Sequence, residues 1–226
     1  RMCLEQALGL LSRLSMGSCP CRSKRPADRP VEMQFGPSAG SLASRGGRDA
    51  LGTAEILIKF LKGQGTDSEE RTLEDILKSN DDWMEACHNY VQWIFPTDEA
   101  SMFNRAAPMM TPHVQKVCRE DQEIQANFDL ILKRFLSFLG LEMKADAGEL
   151  QIVRADHFSS RERDCWLSFF GGNHNWLRIS RVLHCLGMIG KKAEQQALMK
   201  CLEGMRADYP EVMSAMPHWR RRAEVG

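Results

Sequence analysis

Most features that would place a chain of 226 residues in a specialised class are missing from this sequence. A net charge of either sign is absent, because 30 Lys and Arg balance 30 Asp and Glu. Nucleic-acid binding needs a surplus of basic groups on one face to release counterions from phosphate, so it is excluded as the task of the folded part. Long apolar runs are absent too. Residues 128–141 and 179–189 are the most apolar stretches, and Lys133, Arg134, Arg181 and His184 interrupt them. They fall short of the ~18–20 apolar residues of a bilayer-spanning helix, so any membrane contact is peripheral. No unit of 20–50 residues repeats, which excludes a solenoid. A P-loop, a dinucleotide fingerprint, a nucleophile elbow and an HExxH pair are all lacking, so no residue is assigned a catalytic role and no cofactor is expected.

The eight cysteines show no CxxC pair and no regular spacing, and the apolar run near the start contains Glu5, Gln6 and Arg13, a poor secretory core. A disulfide framework is therefore not expected, and a reducing, intracellular setting is. A metal site is not expected either. Cys87 and His88, or His184 and Cys185, are neighbours that point ~100° apart on a helix, whereas zinc needs convergent ligands.

What charge there is lies unevenly. Residues 1–48 carry eight basic and three acidic residues, and residues 49–226 carry 22 and 27, so a +5 arm precedes a −5 body. The arm, residues 1–50, is rich in Arg, Ser, Gly and Pro and reads as a disordered or targeting-like basic tail. Its first turns are amphipathic, as in an organelle transit peptide. The run Arg22–Arg25 fits a nuclear address as well as a solvated loop. The body is read as all-α, a single multi-helix globular domain over residues 51–222.

Within the body the expected helices follow one another without a strand. Residues 53–62 stop at Gly63, and Thr72 with Asp75 forms a capping box. One helix runs over 81–95 up to Pro96, with Trp83, Cys87, Tyr90, Val91, Trp93 and Ile94 on a broad apolar arc. Thr111–Pro112 opens another. The clearest helix follows Asp121, where Ile124, Phe128, Ile131, Leu132, Phe135, Leu136, Phe138 and Leu139 share a face that ends at Gly140. Burying such side chains contributes about 1.5–3 kcal/mol each before chain entropy is subtracted. Residues 142–157 read as loop. Helices are expected near 160–170, over 174–189 between Asn173 and Gly190, over 191–207, and briefly after Pro210.

The strongest local conflict is in the 174–189 helix. Ile179, Val182, Leu183, Cys185, Leu186 and Ile189 form its apolar face, and Arg178 projects into that face with Asn175 beside it and Arg181 at its boundary. A buried guanidinium has to be paired or to line a cavity. Either it ties two helices together through a carboxylate such as Asp75, Asp81, Asp82 or Glu85, or it grips an anionic group by bidentate hydrogen bonds. The candidate binding residues are His88, Gln92, Trp93, Asn175, Arg178 and Arg181, between the 81–95 and 174–189 helices. His88 as an acid/base on a small anionic substrate, and a purely structural scaffold, are the alternatives.

Three segments also carry a family resemblance: Thr72-Leu-Glu-Asp-Ile-Leu77, His88-Asn-Tyr-Val-Gln-Trp-Ile-Phe-Pro96, and His174-Asn-Trp-Leu-Arg-Ile-Ser-Arg181 followed by Leu183, Leu186, Gly187 and Gly190. In order and type they resemble the conserved domain of the opioid growth factor receptor family, with its H-x-Y-I-Q-W-L-F-P and H-N-x-L-R-I-T-R segments. Val91, Ile94 and Ser180 stand where that pattern has Ile, Leu and Thr. The resemblance covers roughly residues 55–220. It implies an all-helical domain, a receptor role for an opioid peptide such as methionine-enkephalin, growth regulation, and a nuclear or peripheral-membrane location.

Overall fold

The computed structural model describes residues 45–101, 104, 107–146, 148–167 and 173–225. The expected disordered tail lies almost wholly outside them, as do Phe169–Gly172. The described part is a helical domain with one small hairpin, in the order α1 (Arg45–Leu61), α2 (Leu73–Lys78), α3 (Asp81–Ala86), α4 (Val91–Ile94), α5 (Pro112–Glu120), α6 (Gln122–Phe138), β1 (Leu141–Asp146), β2 (Glu149–Arg154), α7 (Phe158–Cys165), α8 (His174–Met188) and α9 (Lys192–Gly204). Two short 3-10 turns follow, Met205–Ala207 and Pro210–Ser214, and then α10 (Met216–Ala223). Among the described residues no helix is long and apolar enough to cross a membrane.

The helix ends follow their local chemistry. Thr72 and Asp75 make the reciprocal capping box on α2. Asn80 accepts from the Trp83 amide, Thr111 precedes Pro112, and Asp121 accepts from the amides of Glu123 and Ile124. Gly140, at φ 76°, stops α6 in the left-handed region, and a Cβ there would stand 2.9 Å from the Phe158 backbone. All eight apolar residues foreseen for α6 are buried. α6 packs on α1, α2 and β1, while α8 packs on α9 and α10, and one continuous core joins the two groups.

Three elements differ from the sequence expectation. The first helix starts at Arg45, ahead of Thr53. Residues 141–154 are not loop but an antiparallel hairpin, Leu141 opposite Arg154 and Asp146 opposite Glu149. Leu141 and Ile152 bury one face of it, and β2 lies on α9. The third difference matters most for the site. The expected 81–95 helix is two helices, α3 and α4, separated by residues 87–90, with Cys87 extended at φ −90° and ψ 128°.

Candidate functional site

α8 presents three basic residues to the 85–95 segment at helical spacing: His174, Arg178 and Arg181. Arg178 is buried. Its expected carboxylate partner is replaced by the open end of α3. Nη1 donates to the Met84 carbonyl at 2.9 Å and to Asn175 Oδ1 at 3.0 Å. Nη2 donates to the carbonyls of Cys87 at 2.9 Å and Glu85 at 3.4 Å. The last carbonyls of a helix have no partner within it and carry the negative end of its dipole, so a guanidinium satisfies both needs. The rings of Tyr90 and Phe138, each with its centre 5.7 Å from the guanidinium carbon, complete the enclosure. Arg178 is thus a strut that fixes the break between α3 and α4.

At the amino-terminal end of this seam, Asn175 is fully buried and donates to Glu85 Oε2 at 3.0 Å. Glu85 Oε1 stands 2.9 Å from His174 Nε2, a charge contact whose direction is off-line for a hydrogen bond. Burial pushes the Glu85 carboxyl up, but His174, Asn175 and the Arg178 charge outweigh it and leave it below the usual carboxylate range. The His88 ring lies tilted against that of His174, with ring centres 5.3 Å apart. The residue as a whole is exposed, although heavy atoms crowd the ring. That crowding, with the charges of Arg178 and His174, lowers the His88 pKa, and its exposure keeps the effect modest.

At the other end, Arg181 is half-buried and donates from Nε to the Phe95 carbonyl at 2.8 Å. Its two terminal nitrogens make no hydrogen bond or ion pair among the described residues. Burial, reinforced by the Arg222 charge against the pull of Cys185 and Glu99, holds its pKa below the ordinary arginine value. Arg181 is therefore a partly desolvated cation with four N–H donors to spare among the described residues.

The remaining candidates face inward. Gln92 is buried, and with its amide nitrogen toward the 87–90 break it donates to the carbonyls of His88 and Asn89, both at 3.2 Å. Trp93 is buried edge-on against Phe60 at 5.3 Å. Sequence reasoning brought together His88, Asn175, Arg178 and Arg181 along one seam. It missed His174 as a member, although the i, i+4, i+7 spacing of His174, Arg178 and Arg181 was a readable signal. It also missed Arg71, which clamps the break by donating to Asn89 Oδ1 at 3.0 Å and to Cys87 Sγ at 3.1 Å. Cys118 and Cys165 are buried, and burial pushes both thiols up to about 12. Among the described residues no group of three His, Cys, Asp or Glu converges as a metal site.

Residues 57–212 match the model of the opioid growth factor receptor conserved region. The chain belongs to that family. It is 33% identical over 132 residues to the human opioid growth factor receptor, covering 57% of this chain and 18% of that protein. The rat receptor is 30% identical over 131 residues, covering 57% of this chain and 22% of the receptor. Mouse opioid growth factor receptor-like protein 1 is 28% identical over 131 residues, covering 57% of this chain and 27% of that protein. The chain thus spans between 18% and 27% of the length of these relatives. No solved structure matches it. The family match includes the whole seam from Glu85 to Arg181.

Proposed function

We propose that this chain is a receptor-type, non-enzymatic module that binds a short peptide along the seam between α8 and residues 85–99. The observation that carries this reading is Arg181, a partly desolvated guanidinium whose terminal nitrogens are uncommitted among the described residues. Seven residues upstream on the same helix, His174 stands beside the Glu85 carboxylate. At 1.5 Å per residue the two ends lie about 10.5 Å apart along the helix axis. A pentapeptide reaches up to ~17 Å when extended, so its ammonium group can meet Glu85 while its carboxylate meets Arg181. A zwitterionic peptide fits this polarity. The relatives are named as receptors for an opioid growth factor, and the family resemblance implies an opioid peptide such as methionine-enkephalin. The growth-regulating role and the nuclear or peripheral-membrane setting implied by the family resemblance belong to the same proposal.

The test is calorimetric titration of the full chain with methionine-enkephalin and with its carboxyl-terminal amide. The reading expects saturable binding of the free acid, weakened about tenfold or more by amidation, as loss of a charge-assisted bond worth about 1.5–3 kcal/mol requires. Equal binding of acid and amide, or no binding of either, contradicts it.

A further inference from the structure

Beyond the peptide seam, the carboxyl-terminal end of α8 holds a second cluster that the proposed function does not use. His184 is buried at 5% exposure. Its Nδ1 stands 2.9 Å from Arg222 Nη1 and its Nε2 stands 3.0 Å from Asp98 Oδ1. A guanidinium can only donate, so Nδ1 must be the acceptor and Nε2 must carry the hydrogen that points to Asp98. The bonding pattern therefore requires a neutral imidazole of one tautomer. Arg222 also makes a two-pronged contact with Glu99, at 2.5 and 2.7 Å. Through His184, the last turn of α10 is tied to α8 and to the 97–101 loop.

The backbone of the same turn is held separately. Gln195 Nε2 donates to the carbonyls of Leu183 at 2.9 Å, Val225 at 3.2 Å and Arg222 at 3.3 Å. Beneath it lies Gly187, where a Cβ would come 1.9 Å from the Val225 oxygen. The terminal residues thus occupy a groove with a glycine floor and an amide side wall, shaped to take a peptide backbone. The start of α10 is anchored elsewhere, by Trp219 Nε1 donating to the Trp176 carbonyl at 3.0 Å.

We propose that residues 222–225 form a pH-operated latch, in which protonation of His184 releases Arg222 and uncovers the backbone groove at Gly187 and Gln195. A second proton on the ring can only go to Nδ1, where it faces the Arg222 donor, so one hydrogen bond becomes a contact of like charges. The charged groups facing the ring are Asp98 and Glu99 from the loop, Arg222 from α10, and Arg181 from α8 itself. Burial and Arg222 hold the imidazole below its usual range, Asp98 and Glu99 pull it back, and Arg181 adds to the depression. The sign follows from linkage. At pH well above ~6.5 the ring is neutral with the turn open or closed, and the latch holds. As pH falls below that value the open form takes up the proton first, and closure weakens until the pH passes the lower pKa of the closed form. The histidine of α10, His218, makes a pair with Arg221.

Hydrogen exchange of the full chain at pH 7.5 and pH 5.5, corrected for intrinsic rates, reads the latch directly. Amides of residues 222–225 are expected to exchange several-fold faster in the acid sample, up to the limit of about tenfold that one histidine with an open-form pKa of ~6.5 allows, with those of α6 unchanged. His184→Gln should abolish the difference, and His218→Gln should leave it intact. Asp98→Asn, at an exposed position, should enlarge the acid opening, because losing the anion that favours imidazolium lowers the closed-form pKa further beneath that of the open form. A wild-type terminal turn insensitive to pH overturns the latch. So does a pH response that survives His184→Gln, or one that Asp98→Asn leaves unchanged or diminishes.

Discussion

Arg178 and Arg181 stand three residues apart on one helix, yet the two regions around them differ in kind. Around Arg178 four donor contacts end on the molecule itself, three of them on carbonyls at the end of α3. Around Arg181 one donor ends on Phe95 and the terminal nitrogens stay uncommitted among the described residues. A buried cation is therefore no sign of a ligand by itself. What separates the strut from the candidate site is how many of its donors the fold has consumed.

The largest expected effect breaks the strut. Arg178→Ala strands the carbonyls of Glu85 and Cys87, leaves that of Met84 with the Tyr90 hydroxyl alone, and should cost about 3–5 kcal/mol in chemical unfolding. Arg178→Lys should recover only part of that loss, because a single ammonium cannot span the set that the planar fork reaches. Should Arg178→Ala unfold like the wild type, the carbonyl contacts contribute nothing and the contrast with Arg181 collapses. Gly187→Ala comes next. Its Cβ collides with the Val225 carbonyl, and a loss of about 1–3 kcal/mol is expected, with faster exchange confined to the terminal turn. Unchanged exchange there would show that the turn does not pack as described.

Smaller effects sharpen the comparison. Glu85 titrates below its usual value in the fold. The stability it supplies is present above the unfolded value of about 4.3 and is lost as pH falls through its folded pKa. Glu85→Gln should flatten that acid limb of a stability-against-pH curve and leave the neutral region nearly level. An unchanged acid limb would place the titration on another group. Arg181→Gln should alter stability least, by less than about 1 kcal/mol, since one backbone hydrogen bond is at stake.

The sequence carried α6 and α8 well, because each combined a side-chain cap with an apolar face and a glycine stop, as Asp121 and Gly140 frame α6. It also exposed Arg178 as a conflict within the apolar face of α8. It did not show what Arg178 binds, and the reason is the break at Cys87–Tyr90. No Pro or Gly marks that break, and Trp83, Cys87, Tyr90 and Val91 keep helical spacing across it. The interruption is held by tertiary bonds from Arg178 and Arg71, with Gln92 adding a local one. With the break hidden, the carbonyls that take the guanidinium were hidden as well, and a carboxylate was the natural expectation. The hairpin escaped for a different reason. Leu, Glu, Met, Lys and Ala in β1 are helix formers, and only Leu141 and Ile152 are fully buried, with Met143 and Leu150 partly so, too weak a pattern to stand out as alternation. The His184 latch joins side chains 38 residues apart in sequence, to which no local pattern points.

Calorimetric titration of Arg181→Gln with methionine-enkephalin, beside the wild type and with unfolding curves for both, tests most directly whether the uncommitted arginine is the recognition element. The account predicts matching unfolding curves with affinity lowered tenfold or more. Wild-type affinity in the variant would contradict it.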